Sequence, residues 1–199
     1  MSLSPEAQAE RQLVDAAKRG EEQALSRLYD TYFPRIYRYV LARTGDVSDS
    51  EDLTEEVFLR VVDAIGRFEW REAPFSAWIF RIAHNAVISY RRRNGSRPRS
   101  TPLTESLPVN IEGPEDQVEK ELLLREIIEA AKVLPDTQQR VIELRFIAGL
   151  SVAETARALG KGEGNVKVIQ HKAIARLRDM LAEKPRVPEA PKVYGKKRD

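Results

Sequence analysis

An all-α fold of two small helical domains joined by a flexible linker is predicted by three observations. Apolar residues recur at helical spacing from "EEQALSRLYDTYFPRIYRYVLARTG" through Arg93, and again from "VEKELLLREIIEAAKVL" to Leu181, with no alternating strand pattern. Between them "NGSRPRSTPLTESLPVNIEGP", residues 94–114, holds four prolines and two glycines with no period, the composition of a linker. At 199 residues and 42% hydrophobic, the chain is long enough for one or two domains with real cores. The expected organisation is a helical domain over 1–93, the linker over 94–114, a second helical domain over 115–183, and a disordered basic tail, "KPRVPEAPKVYGKKRD", over 184–199.

Composition removes whole classes of function. With no cysteine there is no disulfide framework, thiol nucleophile or thiolate metal site. No apolar run approaches the roughly 18 residues of a membrane span, and "MSLSPEAQAERQLVDAAKRG" lacks the apolar centre and cleavage site of a signal peptide. A cytoplasmic location is expected. Catalysis is not: His84 and His171 fall in different domains, and no Gly-rich phosphate loop or metal-ligand spacing occurs, so no catalytic residue, metal or cofactor is expected.

The net charge of +2 conceals segregation. Residues 46–63 carry seven acids against Arg60, and 105–129 carry eight against Lys120 and Arg125. Residues 75–100 carry six arginines and no acid, and 161–199 carry eleven Lys/Arg against five acids. Alternating acidic and basic segments suggest separate surfaces for separate partners, the basic ones being candidates for nucleic acid.

In the first domain, "FSAWIFRIAHNAVISYRRR", residues 75–93, combines core and cationic character. Wound at about 100° per residue, Phe75, Ile79, Ile82, Ala86 and Tyr90 form the stripe expected to be buried, while Trp78, Arg81, Asn85 and Arg92 lie together on a flank. Interleaved aromatic, cationic and amide side chains suit single-stranded nucleic acid: arginine for phosphates, a ring for stacking, an amide for a base edge. Trp78 read alone is better explained as core. The preceding loop "GRFEWREAP" adds Phe68 and Trp70, which are either a pocket for an unstacked base or packing anchors.

In the second domain, Pro135 and Asp136 open the helix "DTQQRVIELRFIAG" and Gly149 ends it. Ser151 and Glu154 have the spacing of a capping box, which predicts a helix over 152–159. Gly160 and "KGEG" then form a turn before the longer helix "NVKVIQHKAIARLRDML". A short helix, a glycine turn and a basic helix outline a helix-turn-helix. Val166, Ala173, Leu177, Met180 and Leu181 share the core face of that last helix. Lys167, Val168, His171, Lys172, Ala175 and Arg178 share the opposite face, where Val168 is suited to a thymine methyl. Gln170 points near the core side as a peripheral polar contact.

The ordered set "LYDTYFPRIYRYV", "DSEDLTEEVFLRVV", "FSAWIFRIAHNAVISYRRR", a Pro-rich linker and "LPDTQQRVIELRFIAGLSVAETARALGKGEGNVKVIQHKAIARLR" resembles a bacterial extracytoplasmic-function sigma factor over about residues 25–181. The resemblance implies a promoter-specificity subunit of RNA polymerase, whose first domain melts and reads the minus-ten element and whose second reads the minus-thirty-five element. It implies upstream contacts by Lys167, Val168, His171 and Lys172. It implies single-strand contacts by Phe75, Arg81 and Asn85, with the preceding loop taking a flipped base; Trp78, Arg91 and Arg92 join them from the stripe and its arginine run. "DLTEEVFLRVV" matches the segment that docks on the polymerase clamp, implicating Asp52, Glu55, Glu56 and Leu59; Asp52, Glu56, Leu59 and Asp63 line one face, opposite Val57, Phe58, Val61 and Ile65, and Glu55 stands where glutamine is usual. The partners implied are the beta-prime clamp of core polymerase, double- and single-stranded promoter DNA, and an anti-sigma factor. The competing function is a helix-turn-helix repressor acting without polymerase, which leaves the single-strand stripe and the acidic face without a purpose.

Overall fold

Helix α1, Pro5–Lys18, begins where Ser4 accepts a hydrogen bond from the Ala7 N–H at 3.2 Å and Pro5 supplies the preset φ of a first helical position. The computed structural model describes residues 4–70, 73–94 and 126–183, and the described residues contain helices and no strand. Helix α2, Glu22–Thr44, ends at Gly45, whose φ of 72° is the left-handed conformation that lets its N–H reach the Leu41 carbonyl. Asp46 caps α3, Val47–Ile65, by accepting from the Asp49 N–H at 3.0 Å. Helix α4 is Phe75–Asn94. These four helices enclose Tyr32, Ile36, Tyr39, Val57, Phe75, Ile79 and Phe80, none more than 1% exposed.

The second unit starts with α5 over 126–131. Helix α6, Asp136–Ile142, runs into a π-helical turn, Glu143–Ile147, closed by the Ala148 N–H on the Glu143 carbonyl at 2.9 Å. Helix α7, Val152–Leu159, has the full capping box: Ser151 and Glu154 each accept from the other's N–H. Gly160, at φ 62°, makes the turn into α8, Glu163–Glu183. Helix α8 thus starts two residues before the expected Asn165. Gly164 is tolerated in a first turn whose N–H groups lack helical partners anyway, and Glu163 there favours the positive end of the helix dipole. The proposed linker beyond Asn94 and the basic tail lie outside the described residues.

The two units share a core. Leu144, Ala148, Leu150 and Ala158 join the apolar cluster of α1–α4, and Ile128 and Ile147 pack with Tyr37, Leu41 and Ala42 of α2. Burying one leucine or isoleucine contributes about 1.5–3 kcal/mol, so several such residues at one junction outweigh any single polar contact beside them. A tether alone did not anticipate this packing.

Candidate nucleic-acid interfaces

Helix α8 presents its two faces as the spacing requires. Val166 and Ala173 are fully buried and Leu177 half-buried, while Lys167, His171, Lys172 and Arg178 are exposed. Val168 is 53% exposed among them. Gln170 is the anticipated peripheral contact, accepting from Arg145 Nε at 3.0 Å. The capping box and Gly160 fix α7 against α8, and Val141, Ala156 and Val166 fill the angle between them.

Helix α4 requires corrections. Phe75 is 0% exposed, wedged edge-on against Tyr32 and Phe68, so it is a core residue and cannot touch DNA from this position. Trp78 is half-buried, its ring 5.2 Å from Phe68 and 5.4 Å from Phe75. The loop aromatics are packing anchors: Phe68 is 3% exposed, and Trp70 donates from Nε1 to Asp15 Oδ1 at 3.0 Å with the Arg11 guanidinium over its ring. A base pocket built from exposed Phe68 and Trp70 is therefore absent among the described residues. Arg81, Asn85 and Arg92 are exposed on the outer wall. Arg81 Nη2 donates to the Arg157 carbonyl at 2.6 Å, and Arg91 is half-buried with Nη1 3.1 Å from Asp136 Oδ1.

On α3 the acids Asp52 and Glu55 are exposed and Leu59 is 68% exposed, while Val57, Val61 and Ile65 face the core. Glu56 is tied down, 2.5 Å from Arg60 and 3.7 Å from Arg93. Beside this face lies a groove of about 440 Å³ lined by Leu25, Tyr29, Glu55, Phe58, Leu59 and Val62.

One cluster escaped the sequence reading. Arg43, its side chain 2% exposed, lies 2.7 Å from Asp136 Oδ1 and 3.4 Å from Glu143 Oε2. Burial pushes the Glu143 carboxyl up to about 8, against the pull of Arg43. Burial also opposes ionisation of Asp136, but hydrogen bonds from Arg43 and Arg140 hold its carboxyl below the usual range. His84 meets the Tyr39 hydroxyl through Nδ1 at 3.0 Å, and burial, with Arg140 and Arg43 nearby, lowers it to about 4. The available signal was Glu143 itself, an acid set inside "VIELRFI" where its neighbours are core.

Family models decide the identity. The model described as sigma-70 region 2 matches residues 28–97, and that described as sigma-70, region 4 matches 130–179. The chain belongs to the sigma-70 family. The ECF RNA polymerase sigma factor BldN of Streptomyces coelicolor is 40% identical over 177 residues, covering 88% of this chain and 67% of BldN. The ECF sigma factor SigD of Mycobacterium tuberculosis is 34% identical over 192 residues, covering 91% of this chain and 90% of SigD. The chain is accordingly an ECF sigma factor, a promoter-specificity subunit of RNA polymerase, and sigma factors are non-catalytic regulatory subunits. The solved structure of CnrH with the cytosolic domain of CnrY has the same fold at a TM-score of 0.67 and 23% identity, covering 88% of this chain and 99% of CnrH. No helix among the described residues is long and apolar enough to cross a membrane.

Proposed function

We propose that this sigma factor divides promoter recognition between α8 and α4 and docks on polymerase through α3. The observation that carries the proposal is the exposure pattern of α8: Lys167, His171 and Lys172 surround a half-exposed Val168 opposite a sealed core face, which suits a helix lying in a major groove. On α4, Asn85 reads an unstacked base of the non-template strand, with Arg81, Arg91 and Arg92 on the phosphates and Trp78 as a lateral support. Asp52, Glu55 and Leu59, beside the apolar groove, meet a basic, partly apolar surface of the clamp, while Glu56 contributes through Arg60 and Arg93. The setting is the cytoplasm, where the polymerase works, and the chain acts without enzymatic activity of its own. CnrH is described in complex with CnrY, which supports an anti-sigma partner for this chain as well.

Permanganate footprinting of unpaired thymines in the holoenzyme tests the strand-separating role. Asn85→Ala removes base hydrogen bonds but no charge, so its defect should be nearly independent of salt and depend on one base. Arg92→Ala should give a defect that deepens with salt and ignores sequence. Opening by Asn85→Ala that matches wild type on every promoter variant would remove Asn85 from the site. A docking test follows from charge: Asp52→Lys with Glu55→Lys should abolish co-elution with core polymerase while circular dichroism stays unchanged.

A further inference from the structure

We infer that Ile88 is a wedge that parts the strands of the minus-ten element, standing at the fork between paired and unpaired DNA. The inference rests on the reading of α4 above. From its start to Arg92, that helix exposes Arg81, Asn85, Ile88 and Arg92 and no other residue. Spacings of four, three and four place these side chains on one line along the helix. Ile88 is the apolar member of the line and is 38% exposed. The opposite face of the same turns is fixed in the core, with Ala83, Ala86 and Val87 at most 1% exposed, so the helix offers Ile88 from a rigid base.

The order of chemistry along this line puts the fork at Ile88. On its N-terminal side, Asn85 offers an amide to the edge of an unpaired base, and Trp78 lies two turns before Asn85. On its C-terminal side comes the run Arg91, Arg92 and Arg93. A duplex carries one phosphate charge per about 1.7 Å of its axis against about 3.4 Å for one strand, so the denser cations suit the paired side. The helical rise sets Ile88 about 4.5 Å along the axis from Asn85, little more than one base step. Isoleucine has no donor or acceptor with which to read a base edge. Its β-branched side chain is held to one preferred χ1 rotamer in a helix, so it presents a stiff apolar surface at little cost in ordering. Inserted at a base step, such a surface replaces part of the stacking that the step gives up, as apolar wedges do where proteins kink DNA.

Holoenzymes carrying Ile88→Ala or Ile88→Ser test the role on two templates, a fully paired promoter and the same promoter premelted by mismatches across the minus-ten element. Fluorescence of 2-aminopurine in the non-template strand reads opening of the first, and anisotropy of a labelled template reads binding to the second. Both variants should open the paired promoter about tenfold or more slowly, because the unstacked step has lost its apolar partner, yet bind the premelted one as wild type does. The defect should not vary with salt, since no charge is removed. Ile88→Leu keeps the apolar bulk and should retain most of the opening rate. Opening of the paired promoter at the wild-type rate by Ile88→Ala and Ile88→Ser overturns the wedge. An equal loss on both templates overturns it too, making Ile88 a binding or packing residue. Asn85→Ala separates this inference from the α4 reading, because a lost base contact should weaken both templates. Normal behaviour of Asn85→Ala on both sinks that reading and the wedge together, whereas a defect there beside normal opening by Ile88→Ala sinks the wedge alone.

Discussion

Helices α4 and α8 carry the two cationic walls of the molecule, and they meet different neighbours. On α8, Lys167, Val168, His171 and Lys172 stand in solvent, with no protein group set against them in the contacts described. On α4, Arg81 and Arg91 are engaged by the other unit, Phe75 is buried, and Trp78 is half-buried. The difference teaches that a cationic face in a sequence states an affinity for anionic groups but not which ones. On α8 they must come from outside; on α4 the chain provides them. Substitutions at the covered junction should therefore act on stability, and substitutions on the open wall on readout.

Leu144→Ala is the strongest way to break that division. The residue is 0% exposed and packs where the π turn meets α1–α4, so a cavity there should cost about 2–5 kcal/mol in urea unfolding. A loss no larger than that of a surface substitution would mean that the second unit contributes little to the shared core.

Acid–base behaviour sharpens the comparison next, because two strongly shifted groups that titrate between about pH 4 and 8 lie at the covered junction. Glu143, facing Arg43 with Asp136 and Tyr39 nearby, has its folded value raised from 4.5 to about 8, so its contribution is complete at low pH and is lost as pH rises through that range. His84, facing Arg140, Arg43 and Asp136, has its folded value lowered from 6.5 to about 4, so its contribution is present above 6.5 and lost as pH falls. Between about pH 4.5 and 6.5 the slopes oppose, and stability should be nearly flat with respect to these groups. Above 6.5 only Glu143 changes, and stability should fall by up to about 1.4 kcal/mol per pH unit. Glu143→Gln should abolish that decline and uncover the rise due to His84. Thermal melts of both proteins from pH 4 to 8 measure this, and parallel curves would remove Glu143 as the cause.

Ser151→Ala lies between the two regions, since its capping box fixes both α7, which covers α4, and the turn that aims α8. Loss of the cap should cost about 1 kcal/mol in denaturant unfolding. It should also weaken upstream-element binding, because the turn at Gly160 that aims α8 loses its anchor. Binding equal to wild type in spite of the stability loss would show that α8 is aimed without the cap.

The legible parts of this protein were the periodic ones. The faces of α3 and α8 follow from spacing because each helix has one apolar side and one charged side, and Ser151, Glu154 and Gly160 mark α7 through local hydrogen bonding and a left-handed turn. Helix α1 lies before the first run of helical apolar spacing, so only its local start signals, Ser4 and Pro5, mark it. Phe75 was misplaced because the resemblance gave it a role while its own stripe gave it to the core. The Arg43, Asp136 and Glu143 cluster is invisible in the sequence for a physical reason: Arg43 lies 93 positions from Asp136 and 100 from Glu143, and pairing at that separation is decided by tertiary packing rather than by any local period.

The smallest expected effect on stability is the most informative about the open wall. Val168→Ser exchanges an apolar group that is already 53% exposed, so unfolding should shift by no more than about 0.5 kcal/mol. The isopropyl group can pack on a thymine methyl; the hydroxyl can instead donate to or accept from a base edge, and the preferred base pair should change at one position of the upstream element. Lys167→Ala behaves differently if the residue holds a phosphate: binding weakens at every sequence and the salt slope falls by about one. Selection of upstream elements from a random pool by wild-type, Val168→Ser and Lys167→Ala holoenzymes distinguishes the two roles. A single altered position for Val168→Ser, with the wild-type preference kept by Lys167→Ala, is the pattern of a base-reading valine beside a phosphate-holding lysine. The same consensus from wild type and Val168→Ser would instead make Val168 a bystander, and the specificity of α8 would then rest on His171 and Lys172.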